Sequence, residues 1–404
     1  MPYWHDLTRD DVHGGYLVAS DVRRTPWRRW ARRLARRNSP APLPGKQLVA
    51  QSRLVWLFSH AHRKGLGQRG LGYLAAAATG YRFLLDHFFD PDHGGFVWMT
   101  DRTGRPVNDA KIFYGQAFVV YAFVEYARAG GDRGALQHAL DLHRVVDERL
   151  HDPEHGGWFE HAQAQWQPLH PDDPRAAVEA VGLKSANAHL HWLEALTELY
   201  DATGDEHVRR SLAEARLVNQ RHFYPALPGR SCQHRLPDWS VVPGSPAATL
   251  SYGHQVQFAW MLIRADRVLG LDPSWEVFYA HLDHALRYGY DHRRGGAYRF
   301  GFDDQPATGT DKLWWVQAEM MVALTDALIH QWDHRYADAL VQTLRFVERH
   351  QTDRADGVWL ELVTASGRRR VPRKAGPWKV GYHEVRALVR LVEAFAQTGS
   401  NTRA

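Results

Sequence analysis

The chain is expected to be all-α, an (α/α)6 toroid of about six helical hairpins forming a single domain over 1–404, and three features of the sequence lead there. A glycine-rich turn recurs along the chain, eleven long stretches carry helical apolar periodicity, and little sequence is left over for strands. The turns are His13-Gly14-Gly15-Tyr16, His93-Gly94-Gly95-Phe96, His155-Gly156-Gly157-Trp158, Gly295-Gly296-Ala297-Tyr298 and Asp356-Gly357-Val358-Trp359. They recur roughly every 60 to 80 residues, with one double gap in which His222 to Gly229 forms a degenerate sixth member.

Taken in order, helices are expected at about 47–63, 71–89, 110–129, 133–150, 183–203, 206–222, 251–270, 273–289, 311–330, 333–351 and 380–398. Each turn leads into a short extended piece, as at Phe96 to Asp101, and then into a helical pattern. Aromatic and polar residues gather near the first turns of alternate helices. That favours a closed ring with one shared mouth over an open solenoid.

Composition narrows the function. A chain of 404 residues that is 44% hydrophobic and 12% aromatic can bury a large core, and no linker divides it. No apolar run approaches the roughly 20 residues that span a bilayer, and the amino terminus lacks the pattern of a signal peptide. A single cysteine, Cys232, can form neither an internal disulfide nor a cysteine-based metal cage, so a cytoplasmic location is expected. The formal charge of +5 is local: eight arginines lie within an insertion at 22–38, and the remainder carries −3. From Thr25-Pro26 that insertion reads as a capped helix with Trp27, Trp30, Ala31 and Leu34 on one side. Nothing else repeats a basic-aromatic pattern, so no nucleic-acid partner is expected, and the chain is expected as a monomer or homodimer.

The chemistry gathers at six stretches. Arg53 sits in the first turns of an otherwise apolar helix, where it either bridges helices or meets a ligand oxygen. Tyr114 opens the third helix, to donate to a ligand or to pack. Asn187 and His191 are four apart on one helical face, while His189 points about 200° away from His191, so these two histidines cannot share a metal ion and no metal is expected. His254 and Gln257 share a face three apart, and Trp315 aligns with Glu319. Finally Gly376-Pro377 interrupts the chain before Trp378 and His383, which precede renewed apolar periodicity at Val385, Leu388, Val389 and Leu391. Imidazoles, amides, a guanidinium and flat indoles suit proton movement on a sugar. A hydrolase would want two opposed carboxylates, and only Glu319 is a clear candidate here.

In this order the stretches Gln51 to Trp56, Asp90 to Gly95, Tyr114 to Phe118, Asn187 to Ala195, Ser251 to His254, Trp314 to Glu319 and Lys374 to His383 resemble the N-acylglucosamine 2-epimerase superfamily. Within it the likeness is to the cellobiose 2-epimerase and mannose 2-epimerase branch. The resemblance implies an (α/α)6 barrel and cofactor-independent chemistry at C1 and C2 of a reducing sugar. It implies that His383 and His254 are the base and acid pair, working through an enediolate: reprotonation of C2 from the other face gives the epimer, and transfer to C1 gives a ketose. It further implies that Arg53, Asn187 and His191 hold sugar oxygens and stabilise the enediolate, that Glu319 assists ring opening or orients a histidine, and that Trp315 and Trp378 stack on the ring. Tyr114 and Gln257 complete the binding set.

Two departures from that pattern stand out. Gln257 occupies a position where family members commonly carry Glu, and an amide cannot accept a proton or hold His254 as an imidazolium. The helix that normally precedes the first turn is nearly absent, and the arginine segment replaces a short loop. The leading expectation is a 2-epimerase for glucose/mannose-type aldoses, free or at a reducing end. The alternatives are an aldose-ketose isomerase using the same histidines, a non-catalytic sugar-binding relative, and, more weakly, a glycoside hydrolase.

Overall fold

All eleven expected helices form, and among the described residues a short twelfth precedes them. In this computed structural model, which describes residues 1–18, 45–66, 72–178, 181–245, 249–371 and 373–401, they are α1 Pro2–Thr8, α2 Leu48–Arg63, α3 Tyr73–His87, α4 Phe113–Arg128, α5 Gly134–Leu150, α6 Ala186–Thr203, α7 Glu206–Val218, α8 Tyr252–Val268, α9 Trp275–Gly289, α10 Trp314–His330, α11 His334–Phe346 and α12 Tyr382–Asn401. The arginine-rich segment at 22–38 lies outside the described residues. Among those described, no helix is long and apolar enough to cross a membrane.

Helices α2, α4, α6, α8, α10 and α12 stand side by side as an inner ring, and α12 returns to pack against α2. That closure distinguishes the toroid from an open solenoid. Helix α4 is buried on every side from Phe113 to Tyr126, whereas α12 leaves Leu388, Val392 and Phe395 exposed. The outer helices bury a single stripe, such as Ala135, Ala139, Leu142, Val146 and Leu150 of α5. The short α1 buries Trp4, whose indole packs where a side chain on Gly381 would stand. Gly381 has a φ of 57°, so the residue that starts α12 needs glycine for two reasons.

Consecutive repeats are stitched by two-residue antiparallel strands. Lys46–Gln47 pairs with Met99–Thr100, Lys111–Ile112 with His161–Ala162, Lys184–Ser185 with His234–Arg235, Leu250–Ser251 with Phe300–Gly301, and Lys312–Leu313 with Leu362–Val363. The strand entering each inner helix thus joins the strand that follows the next turn. Inside the turns, Asp10, Asp90, Asp152, Asp291 and Asp353 each accept backbone N–H groups two and three residues ahead.

Four buried lysines lock this device. Lys46, Lys111, Lys184 and Lys312 pair with Asp10, Asp90, Asp152 and Asp291 at 2.7 to 3.2 Å. A buried ammonium without such a partner would cost several kcal/mol. Five residues after three of these lysines, Gln51, Gln116 and Gln317 clamp both backbone groups of Tyr16, Phe96 and Ala297. In the remaining repeat His189 takes that place, accepting the Trp158 N–H at 3.1 Å. The degenerate repeat keeps Gln255, bonded to the Pro228 carbonyl, but carries Leu250 in place of lysine.

The helices expected from 110, 183 and 311 begin at Phe113, Ala186 and Trp314, where the two-residue strands end, and two helix C-termini also differ from expectation. The stretches expected as helix over 206–222 and 333–351 widen into π turns at Asn219–Phe223 and Val347–Gln351. The buried amide of Asn219 donates to the Ala215 and His189 carbonyls, and that of Gln351 to the Lys312 and Leu360 carbonyls. Long-range hydrogen bonds of this kind override the local periodicity.

Candidate active site

The first turns of the inner helices surround a cavity of about 360 Å³. Nine of the ten residues expected there line it: Arg53 from α2, Tyr114 from α4, Asn187 and His191 from α6, His254 and Gln257 from α8, Trp315 from α10, Trp378 from the loop before α12, and His383 from its start. The tenth, Glu319, lies buried behind His383. His189 faces away, its Nδ1 against the Ser185 carbonyl at 2.8 Å. Arg53 resolves its alternatives by doing both things: its guanidinium donates to the Tyr114 hydroxyl at 2.8 Å and the Trp378 carbonyl at 2.9 Å while still facing the cavity. Trp378 is 39% exposed and forms part of the rim.

Behind the cavity runs a charged layer. His383 Nδ1 donates to Glu319 Oε1 at 2.6 Å, and the other oxygen of Glu319 accepts from the Trp260 indole at 3.0 Å. His191 Nδ1 donates to Glu194 Oε2 at 2.8 Å, and the Tyr382 hydroxyl bonds the same carboxylate at 2.8 Å. Arg386 lies between them, donating to Glu319 at 2.5 Å and to Glu194. One guanidinium therefore joins two histidine–carboxylate pairs. With Nδ1 held from behind, the nitrogen that His383 and His191 can offer to the cavity is Nε2.

His254 stands on different support. Its Nδ1 is 3.3 Å from Gln233 Oε1, and Gln233 donates through Nε2 to the Thr249 carbonyl, which fixes the amide with its oxygen toward the imidazole. The Trp315 ring centre lies 4.7 Å from that of His254 and 5.9 Å from that of His383, so a single indole is flanked by both imidazoles. Gln257 is fully buried, yet neither atom of its amide has a hydrogen-bond partner. Such a group lowers its cost when a ligand or a water meets it.

The model of the N-acylglucosamine 2-epimerase family matches residues 30–387. The chain belongs to that family. A cellobiose 2-epimerase from Bacteroides fragilis is 28% identical over 97% of this chain and 95% of its own length. A D-mannose isomerase from Thermobifida fusca is 29% identical over 74% of this chain and 73% of its own. The solved cellobiose 2-epimerase of Spirochaeta thermophila superposes with a TM-score of 0.81 at 29% identity, covering 98% of this chain and 94% of that one. As a member of this family the protein is an enzyme of the isomerase class, a carbohydrate epimerase.

Electrostatics set the resting state of this family member. Burial lowers the pKa of His383 to about 3 against the opposing pull of Glu319. Burial, then repulsion from His191 and His383, lowers His254 to about 3. Burial also pushes His191 down, although Glu194 resists. Burial drives Glu319 upward, but Arg386 and His383 outweigh it and hold the carboxyl at about 2. At neutral pH the imidazoles are thus neutral, each with a lone pair, above a layer of two carboxylates and one guanidinium.

Sequence reasoning missed Glu194, Arg386, Tyr382, Trp260 and Gln233. For two of them a signal exists: Glu194 follows His191, and Arg386 follows His383, by three residues on one helical face. Gln233 lies between helices and has no local signature. Among the described residues, the one cluster of three metal-ligating side chains lies outside the cavity, on α5 and α7.

Proposed function

We propose that this enzyme is a 2-epimerase for glucose/mannose-type aldoses, free or at the reducing end of a disaccharide, with His383 and His254 exchanging the C2 proton. The observation that carries this reading is the pair of neutral imidazoles flanking Trp315 in one cavity. In the opened aldose, Nε2 of one imidazole takes the C2 proton, and the electron pair moves into the C1 carbonyl to give an enediolate. Arg53 supplies positive charge to the developing oxyanion, with Asn187 and His191 on neighbouring oxygens. The opposite imidazole takes up a proton from solvent and returns it to C2 from the other face to give the epimer, and release of the abstracted proton to solvent by the first imidazolium restores both neutral rings. Trp315 and Trp378 offer flat apolar faces to the sugar ring, and Tyr114 and the unpaired amide of Gln257 offer hydrogen bonds to hydroxyls. The position of Glu319 behind Nδ1 supports orientation of His383 and stabilisation of its imidazolium, rather than contact with the ring oxygen.

The second reading, an aldose-ketose isomerase, draws on the supports of His254. Its Nδ1 lies against the Gln233 amide oxygen, whereas that of His383 bonds the Glu319 carboxylate directly. A proton carried by His383 alone from C2 to C1 on one face yields a ketose. Proton NMR of glucose, mannose and cellobiose incubated with the enzyme in deuterated water tests both. Epimer bearing deuterium at C2 is the expected result. Accumulation of ketose without epimer replaces the first reading by the second, and no exchange on any aldose removes both.

A further inference from the structure

On the outer wall, away from the cavity, two imidazoles and a carboxylate converge. His143 and Asp147 are one turn apart on α5, and His207 is the second residue of α7. Both His143 Nε2 and His207 Nε2 lie 3.2 Å from the same atom, Asp147 Oδ2, and all three ligand atoms fall within 4.8 Å of one another. Zinc bonds of about 2.0 to 2.2 Å in a tetrahedron put neighbouring ligand atoms roughly 3.3 Å apart. Two edges of that tetrahedron are already present.

The surroundings hold the three groups in place. The Trp158 indole donates to the other carboxylate oxygen, Asp147 Oδ1, at 2.9 Å, leaving Oδ2 turned toward the imidazoles. The His143 ring stacks on Trp192 with centres 5.8 Å apart, and the Ser211 hydroxyl touches both His143 Nε2, at 2.9 Å, and Asp147 Oδ2. The His207 side chain is 41% exposed, which leaves a side open for ion entry and a coordinating water.

We propose that His143, Asp147 and His207 bind one divalent cation of the zinc, cobalt or nickel kind, clasping α5 to α7. Two imidazoles favour these ions over magnesium or calcium, which take oxygen ligands. The site is separate from the sugar cavity, and its role is stabilisation of the outer wall.

The test uses the untagged full chain, stripped with a chelator, dialysed and titrated with cobalt chloride and then zinc chloride. The expected result is one cobalt per chain with the visible absorption of a low-coordinate ion, its displacement by zinc, and a rise in Tm of several degrees at about a hundredfold excess over Kd. His207→Ala, altering a partly exposed side chain, and Asp147→Asn should each abolish the absorption and the Tm rise. In metal-free buffer, His207→Ala should leave sugar turnover unchanged. Absence of cobalt binding by the natural chain overturns the proposal. So does an unchanged stoichiometry and Tm rise in His207→Ala, because the ion would then sit elsewhere.

Discussion

His383 and His254 look into one cavity from unlike foundations. His383 rests on a carboxylate that is itself gripped by a guanidinium and an indole, while His254 rests on the amide of Gln233. A ring that must carry a positive charge, even briefly, needs a fixed negative partner in a dry site, because burial alone disfavours the charged form. The two halves of the cavity are therefore unequal: the imidazolium that each histidine forms in turn is held by a carboxylate on the His383 side and by an amide oxygen on the His254 side. Arg386 extends the difference by tying His383 to His191 through Glu319 and Glu194, a connection that His254 lacks.

The largest effect should come from His383→Ala, which lowers kcat by about 10² to 10⁴-fold, the usual contribution of a positioned acid or base, with the far-ultraviolet spectrum unchanged. Substantial residual turnover would break the comparison by moving proton transfer elsewhere. Next comes Glu319→Gln, expected to lower kcat by about 10 to 100-fold with a smaller change in KM, since the imidazole keeps its place but loses its counter-charge. It should also lower Tm, because Arg386 is left with one carboxylate fewer. An effect confined to KM would make Glu319 a bystander to the chemistry.

Gln257→Glu sharpens the comparison by offering the His254 side a carboxylate. A few-fold change in the ratio of epimer to ketose, together with a pH–rate profile whose acid limb moves upward, is expected from a raised imidazole pKa. An unchanged profile and ratio would show that the inequality of the two sides does not govern the outcome. The mildest effect concerns stability. His254 and His383 titrate at about 3 in the folded chain, against about 6.5 unfolded, so below pH 6.5 the unfolded chain takes up protons that the native one does not. Stability should fall as pH drops from about 6.5 toward 3, read as a declining urea midpoint, and His254→Asn should show less of that loss. A flat midpoint between pH 7 and 5 would contradict the buried, neutral state of both rings.

Much of the cavity is legible in the sequence. Asn187 and His191, or His254 and Gln257, fall on one face of a helix by spacing alone, and the Gly-Pro break before Trp378 marks where α12 begins. The lysine clasps were half legible: the five-residue interval from Lys46 to Gln51 recurs at Lys111 and Lys312, but the aspartates they bind sit in the preceding turns. The π turns were not, since Asn219 and Gln351 are drawn by carbonyls of other elements.

By itself, then, the sequence determined which side chains share a helix face and where each helix begins, because 3.6-residue spacing, turn glycines and proline act within a few residues. Only the closed ring decided which faces meet. Arg386 bonds carboxylates 192 and 67 positions away, and Gln233 reaches His254 from a loop, contacts that depend on six inner helices returning to their start. Charges buried at such a junction are set by their neighbours in space, and those neighbours have no fixed interval along the chain.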